Sequence, residues 1–130
     1  MTLELKGRQL VPGRALGEAV FAEALSFYGD VDPNTGLLRD GRSVAGKVVV
    51  ALRPRGSTVG SYVIYALRAN GLAPAAIVMS RVDPIIVAGC VLASIPLVSE
   101  VPEEELRSVK DGDLVEVLGD GRVIVHGHKY

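Results

Sequence analysis

The sequence predicts a single compact α/β domain with a mixed or partly open β-structure, and three observations carry that reading. Short β-branched runs, KVVVAL at 47–52 and AAIVM at 75–79, alternate with segments of helical periodicity. A glycine-punctuated pair of alternating segments closes the C-terminus, as a hairpin does. The 130 residues are 48% hydrophobic but only 5% aromatic, which is one domain's worth of chain around a core of Val, Leu, Ile and Ala.

Taken in order, RALGEAVFA at 14–22 reads weakly as a strand, with Gly13 and Gly17 allowing curvature or close backbone approach. YGDVDPNTGLLRDGRS at 28–43 is rich in turn residues and reads as a long loop, in which Asp30 and Asp32 shape turns. KVVVAL then gives a buried strand. In 54–71, Val59, Val63 and Leu67 recur four apart and predict a helical stripe, with Tyr62 and Ala66 packing on an adjoining face and Asn70-Gly71 as the stop. Tyr65 has the same packing reading, the alternative for both tyrosines being hydroxyls that reach an interface. After the strand at 75–79, Asp83 caps a helix that opens on Pro84, where a missing amide donor costs little, and runs to about Ala93. Ile95–Val98 returns as a strand. Pro102 and Glu103–Glu105 start a short helical turn whose carboxylates suit its positive end. Residues 114–117 and 122–126 are strands joined around Gly119-Asp120-Gly121.

Composition narrows the function. A net charge of −1 lacks the basic field of a non-specific nucleic-acid binder, so no nucleic-acid partner is expected. The apolar stretch 84–93 is about half the length of a spanning helix, and the charged MTLELKGRQL does not resemble a signal peptide. The expectation is a cytoplasmic protein without a membrane partner. The single Cys90 excludes an intrachain disulfide and supplies too few thiolates for zinc or an iron–sulfur cluster; its apolar surroundings predict inert core packing. His126 and His128 share a strand face but offer only two nitrogens, which favours a structural or exposed role over metal ligation.

Chemistry is concentrated in Arg53-Pro54-Arg55-Gly56-Ser57-Thr58-Val59-Gly60-Ser61, between a buried strand and an amphipathic helix. Two arginines, two glycines and free helix-start amides can bind a carboxylate or phosphate, which makes Arg53, Arg55, Gly56, Thr58, Gly60 and Ser61 candidate anion-binding residues. Ser57 or Thr58 serves equally as an ordinary helix cap. The loop lacks the Gly-Lys-Ser/Thr ending of a Walker A motif and the dinucleotide-binding glycine pattern. Ser57 also lacks the Gly-x-Ser-x-Gly elbow and a nearby histidine, so any basic role for it requires a partner subunit and a composite site.

Val11-Pro12-Gly13-Arg14-Ala15-Leu16-Gly17-Glu18-Ala19, Gly29-Asp30-Val31-Asp32-Pro33-Asn34-Thr35-Gly36, Arg55-Gly56-Ser57-Thr58-Val59-Gly60-Ser61-Tyr62 and Asp83-Pro84-Ile85-Ile86-Val87-Ala88-Gly89 together resemble the small subunits of the aconitase X family, archaeal type, over nearly the whole chain. The resemblance implies that residues 1–130 form a swivelling β/β/α domain paired with a cysteine-containing, aconitase-like large subunit. That partner would hold the iron–sulfur cluster, of the four-iron, four-sulfur type. The implied reaction is a hydro-lyase step of the mevalonate pathway, removing water from the phosphorylated hydroxyacid (R)-5-phosphomevalonate to give trans-anhydromevalonate 5-phosphate. The family's serine proton acceptor maps onto Ser57. Where the family usually has Lys or Arg-Gly-Lys-Gly-Ser, this chain has Arg53-Pro54-Arg55-Gly56-Ser57, which keeps positive charge but alters the approach. Two other readings remain open at this point: an aconitase-X-type hydroxyproline dehydratase subunit, and a noncatalytic anion-binding or assembly domain.

Overall fold

A computed structural model describes residues 2–56 and 60–127. The chain runs β1 (Leu3–Lys6), β2 (Arg8–Val11), β3 (Ala15–Leu25), α1 (Phe27–Asp30), β4 (Val31–Asp32), β5 (Leu37–Leu38), β6 (Val48–Pro54), α2 (Gly60–Ala69), β7 (Ala76–Met79), α3 (Pro84–Ala93), β8 (Leu97–Ser99), α4 (Glu103–Leu106), β9 (Leu114–Val117) and β10 (Arg122–Val125). Eight strands form one sheet in the order β1-β10-β9-β3-β6-β7-β8-β2, while β4 and β5 pair separately. The mixed sheet expected from the sequence is present: β3, β6, β7 and β8 are mutually parallel, and the flanking pairs are antiparallel.

β1 and β2 occupy opposite edges of this sheet although only Gly7 separates them in sequence. They act as one bent strand that pairs with β10 before the bend and with β8 after it. The amide of Gly7 donates to the Gly121 carbonyl at 2.8 Å across the seam. A Cβ on Gly7 would lie 2.3 Å from the Ser99 carbonyl oxygen, and one on Gly121 would lie 2.5 Å from the Gly7 carbonyl oxygen. Both glycines are present because backbone meets backbone here.

Alternation along the central strands divides the interior in two. Val49, Ala51, Ile77 and Met79 face a core completed by Val63, Ile64 and Leu67 of α2 and by Ile86 and Cys90 of α3. Val48, Val50, Leu52, Ala76 and Val78 face a second core with Leu5, Val115, Val117, Val123 and Leu106. The layers are therefore β, β and α, the swivel-type arrangement that the resemblance implied. Helix α3 packs on α2 at Gly89, where a Cβ would come 2.7 Å from Ile64 Cδ1 and 3.2 Å from Ser61 Cα.

Most sequence-read elements are present, with informative differences. The stop at Gly71 is real, with φ of +72°. Asp83 caps α3, its Oδ1 accepting from the Ile86 amide at 2.9 Å. The strand expected at Ile95–Val98 begins instead at Leu97, because Ser94 adopts a left-handed cap and the Ile95 amide is spent on the Cys90 carbonyl. The first strand is longer than 14–22, and the N-terminal pair β1 and β2 carries no strand signal strong enough to be read beforehand. The 28–43 loop contains α1 and the β4–β5 pair; within it Asp32 does make a turn, accepting from the Asn34 amide. Tyr62 and Tyr65 do not pack on the core: they are 75% and 53% exposed, and Ile64 takes the buried position. No helix among the described residues is long and apolar enough to cross a membrane.

Because the seam has no room for a methyl group, Gly7→Ala should destabilise the fold by about 1–3 kcal/mol, the usual penalty of overpacking. Urea titration followed by circular dichroism measures it; wild-type stability would show that the seam does not require a bare backbone.

Candidate functional site

The candidate loop leaves the carboxyl end of β6, beside the parallel strand β3, and α2 begins where it ends. Loops at the carboxyl ends of parallel strands are where α/β sheets place ligands, since helix N-termini converge there. The four-residue α1 and the longer α2 and α3 all begin there. Gly60, the first residue of α2, is buried, and a Cβ on it would sit 3.4 Å from Ile85 Cγ2 of α3. Gly56 is exposed, and a Cβ there would lie 3.7 Å from Asp83 Oδ2. The α3 cap thus presents its second carboxylate oxygen to the loop while the first holds the Ile86 amide.

The two arginines diverge. Arg53 points into a charged cluster, with Nη2 3.9 Å from Glu23 Oε1 and Nη1 3.9 Å from Glu103 Oε1. Arg107 reaches the same two carboxylates, at 3.2 and 4.0 Å. Such exposed pairs contribute about 0–1 kcal/mol each, so their value here lies in orientation. Arg55 turns to α1 instead: its Nη2 donates to Asp30 Oδ1 at 2.5 Å, and its backbone amide donates to the Leu25 carbonyl at 2.9 Å. Its side chain remains 61% exposed.

Ser61 is half-buried on the first turn of α2, and with Tyr62, Tyr65 and Leu92 it borders an open depression of 580 Å³. Ser57 and Thr58 lie outside the described residues. The structure therefore brings Arg55, Gly56, Gly60 and the Asp83 cap together, holds Ser61 at the edge and directs Arg53 toward α4.

The remaining candidates have other roles. Glu103–Glu105 opens α4, and Glu103 also takes part in the arginine cluster. His126 is half-buried, with Nε2 3.3 Å from Glu116 Oε1, and His128 is outside the described residues. Cys90 is fully buried, and burial pushes its thiol up to about 12. Among the described residues no three His, Cys, Asp or Glu side chains are grouped to hold a metal ion. A buried, protonated thiol on α3 does not fit an iron–sulfur cluster, so no step is assigned to such a group on these residues. Asp30, read as a turn residue, closes the Ser26–Asp30 turn through Oδ2 and also accepts from Arg55 through Oδ1, a pairing the sequence reading did not assign. The available signal was Ser26-Phe27-Tyr28-Gly29-Asp30, a capping serine followed four residues later by a carboxylate.

A family profile described as the aconitase X swivel domain matches residues 4–126. A phosphomevalonate dehydratase small subunit from Aeropyrum pernix is 54% identical, over 96% of this chain and 95% of its own length. Another of the same name from Thermococcus onnurineus is 46% identical, over 91% and 94%. The crystal structure of Thermococcus kodakaraensis aconitase X in its holo-form superposes with a TM-score of 0.87 at 41% identity, covering 95% of this chain and 98% of that one.

With its thiol buried and raised to about 12, Cys90 should not react with a disulfide reagent such as DTNB at pH 8 in the folded protein and should react fully in guanidinium. Rapid labelling of native protein, read by absorbance, would contradict the packing described for α3.

Proposed function

The chain belongs to the aconitase X family as one of its swivel domains, and from that premise we propose that residues 1–130 act as the small subunit of a heteromeric hydro-lyase that dehydrates (R)-5-phosphomevalonate to trans-anhydromevalonate 5-phosphate. The observation that carries this reading is the near-complete, two-way match to relatives named phosphomevalonate dehydratase small subunit. The position of the arginine-glycine-serine loop at the carboxyl ends of β3 and β6 supports it.

In this reading the chain supplies the base side of the elimination. Ser57 takes the proton from the carbon next to the hydroxyl-bearing carbon. A serine hydroxyl is a poor base unless its anionic form is stabilised, and the positive charge of Arg55 with the amides at the start of α2 acts in that direction. The same groups attract the anionic ends of the substrate. The iron–sulfur cluster belongs to the large subunit, where it would act as the Lewis acid for the departing hydroxyl.

The large subunit docks on the face of α2 and α3 that carries Tyr62, Tyr65, Val91 and Leu92, all more than half exposed. Tyr62, Tyr65 and Leu92 border one depression with Ser61, on the first turn of α2, so a partner seated there would lie beside the candidate site. Tyr62→Asp with Tyr65→Asp should weaken association with the large subunit at least about tenfold, the scale of losing a hot-spot aromatic, while leaving the isolated fold intact. Size-exclusion chromatography of the co-expressed chains checks it, and an undiminished heteromer would place the interface elsewhere.

Ser57→Ala, tested in the assembled complex, should keep partner binding and cluster content yet lower turnover of (R)-5-phosphomevalonate by at least about 100-fold, as loss of a general base does. Ser61→Ala, which removes a neighbouring hydroxyl, should have a smaller effect. Near-normal turnover by Ser57→Ala would overturn the proton-acceptor role. Dehydration of a hydroxyproline in place of the phosphorylated hydroxyacid would overturn the substrate.

A further inference from the structure

Asp30 is an odd neighbour for a site that must receive an anion, since its own charge opposes one. It sits at the end of α1 with a side chain only 16% exposed, against 61% for the Arg55 it pairs with. Its two oxygens have separate tasks: Oδ2 accepts from the Ser26 amide at 2.9 Å, and Oδ1 accepts from Arg55 Nη2. The turn is closed again by the Asp30 amide on the Ser26 carbonyl at 2.8 Å and by the Gly29 amide on Ser26 Oγ at 3.2 Å. Arg39 adds a third tie, its amide donating to the Asp30 carbonyl at 3.1 Å.

Arg55 is therefore gripped at both ends by one rigid segment, with its amide on Leu25 and its guanidinium on Asp30. A guanidinium has five N–H donors in a fixed plane, and only the Asp30 bond engages them among the described residues. Asp30, Arg39 and Arg55 border a cleft of 200 Å³ next to the loop. Without Asp30, an exposed arginine would spread over many rotamers, and ordering it on the substrate would cost that freedom at each binding event.

We propose that Asp30 is a positioning residue that presets the Arg55 guanidinium for an anionic group of the substrate, a reading that rests on the substrate role given to Arg55 above. The alternative, plain electrostatics, has the opposite sign. Removing a negative charge beside an anion site should tighten substrate binding, whereas removing a positioning contact should weaken it.

The experiment compares Asp30→Asn, Arg55→Gln and Ser26→Ala in the assembled complex, measuring kcat and KM for (R)-5-phosphomevalonate with thermal midpoints. Asparagine retains an acceptor for the Ser26 amide but loses the charge that holds Arg55. Asp30→Asn should raise KM roughly tenfold, the scale of one charge-assisted hydrogen bond, with a smaller fall in kcat because Arg55 also supports the Ser57 base. Ser26→Ala removes the Gly29 cap but keeps the Asp30 carboxylate and its bond to the Ser26 amide, so it should lower the midpoint with a much smaller rise in KM than Asp30→Asn. If Arg55→Gln raises KM and Asp30→Asn leaves it unchanged or lowers it, positioning by Asp30 is overturned while the role of Arg55 stands. If Arg55→Gln itself has no effect, the substrate role of Arg55 fails and the inference with it. Should Asp30→Asn impair folding, Arg55→Lys carries the test: it keeps the charge and α1 but not the planar fork, so KM should rise, and a wild-type KM would overturn the proposal.

Discussion

The closure of the sheet at Gly7 is the constraint on which the other features depend. A single N-terminal strand is shared between two edges, pairing with β10 and then, one residue later, with β8. The two edges of the large sheet are thus consecutive parts of one short bent strand, which keeps each edge only four residues long. The bend is possible because Gly7, Gly121 and the Ser99 carbonyl approach more closely than any side chain permits. Once closed, the sheet encloses the core of Leu5, Val50, Leu52 and Val123 and leaves the other face of β6 and β7 to be covered by helices.

That layering determines where chemistry can be placed. Four parallel strands send their carboxyl ends to one pole, and the α1, α2 and α3 segments all start there. Close helix packing at Gly60 and Gly89 holds the N-termini of α2 and α3 side by side, with the α3 cap facing Gly56. The two arginines of the loop then separate. Arg53 is drawn to Glu23 and Glu103 over the β layer, while Arg55 is held by α1. Nothing in the spacing of two residues would assign them different partners; the divergence follows from which acidic groups lie beyond each end of Pro54.

The helical layer is built asymmetrically. Its inner side is Val63, Ile64, Leu67, Ile86 and Cys90, tightly buried, and its outer side displays two tyrosines with Val91 and Leu92. α3 is apolar nearly all round, a composition that suits a helix buried on both sides, yet within this chain only one side is covered. The helical layer thus combines a tightly packed interior with an apolar exterior.

Much of this was legible in the residues themselves. The β-branched runs, the Asp83-Pro84 start, the glycine stop at Gly71, the C-terminal hairpin and the inertness of Cys90 are local properties, set by periodicity, capping chemistry and composition, and the order of motifs pointed to the family. The tertiary structure alone decided what depends on distant partners. β1 and β2 become strands because residues 97–99 and 122–125 are there to pair with them, a match that no local window contains. Asp30 closes the turn read for it, through the Ser26 amide, but its second oxygen is taken by Arg55, twenty-five residues on, which no local window contains. Tyr62, read on a face adjoining the buried stripe, is at the surface because Ile64 fills the space against Gly89, and helical spacing by itself cannot say which of two adjoining faces will meet the sheet.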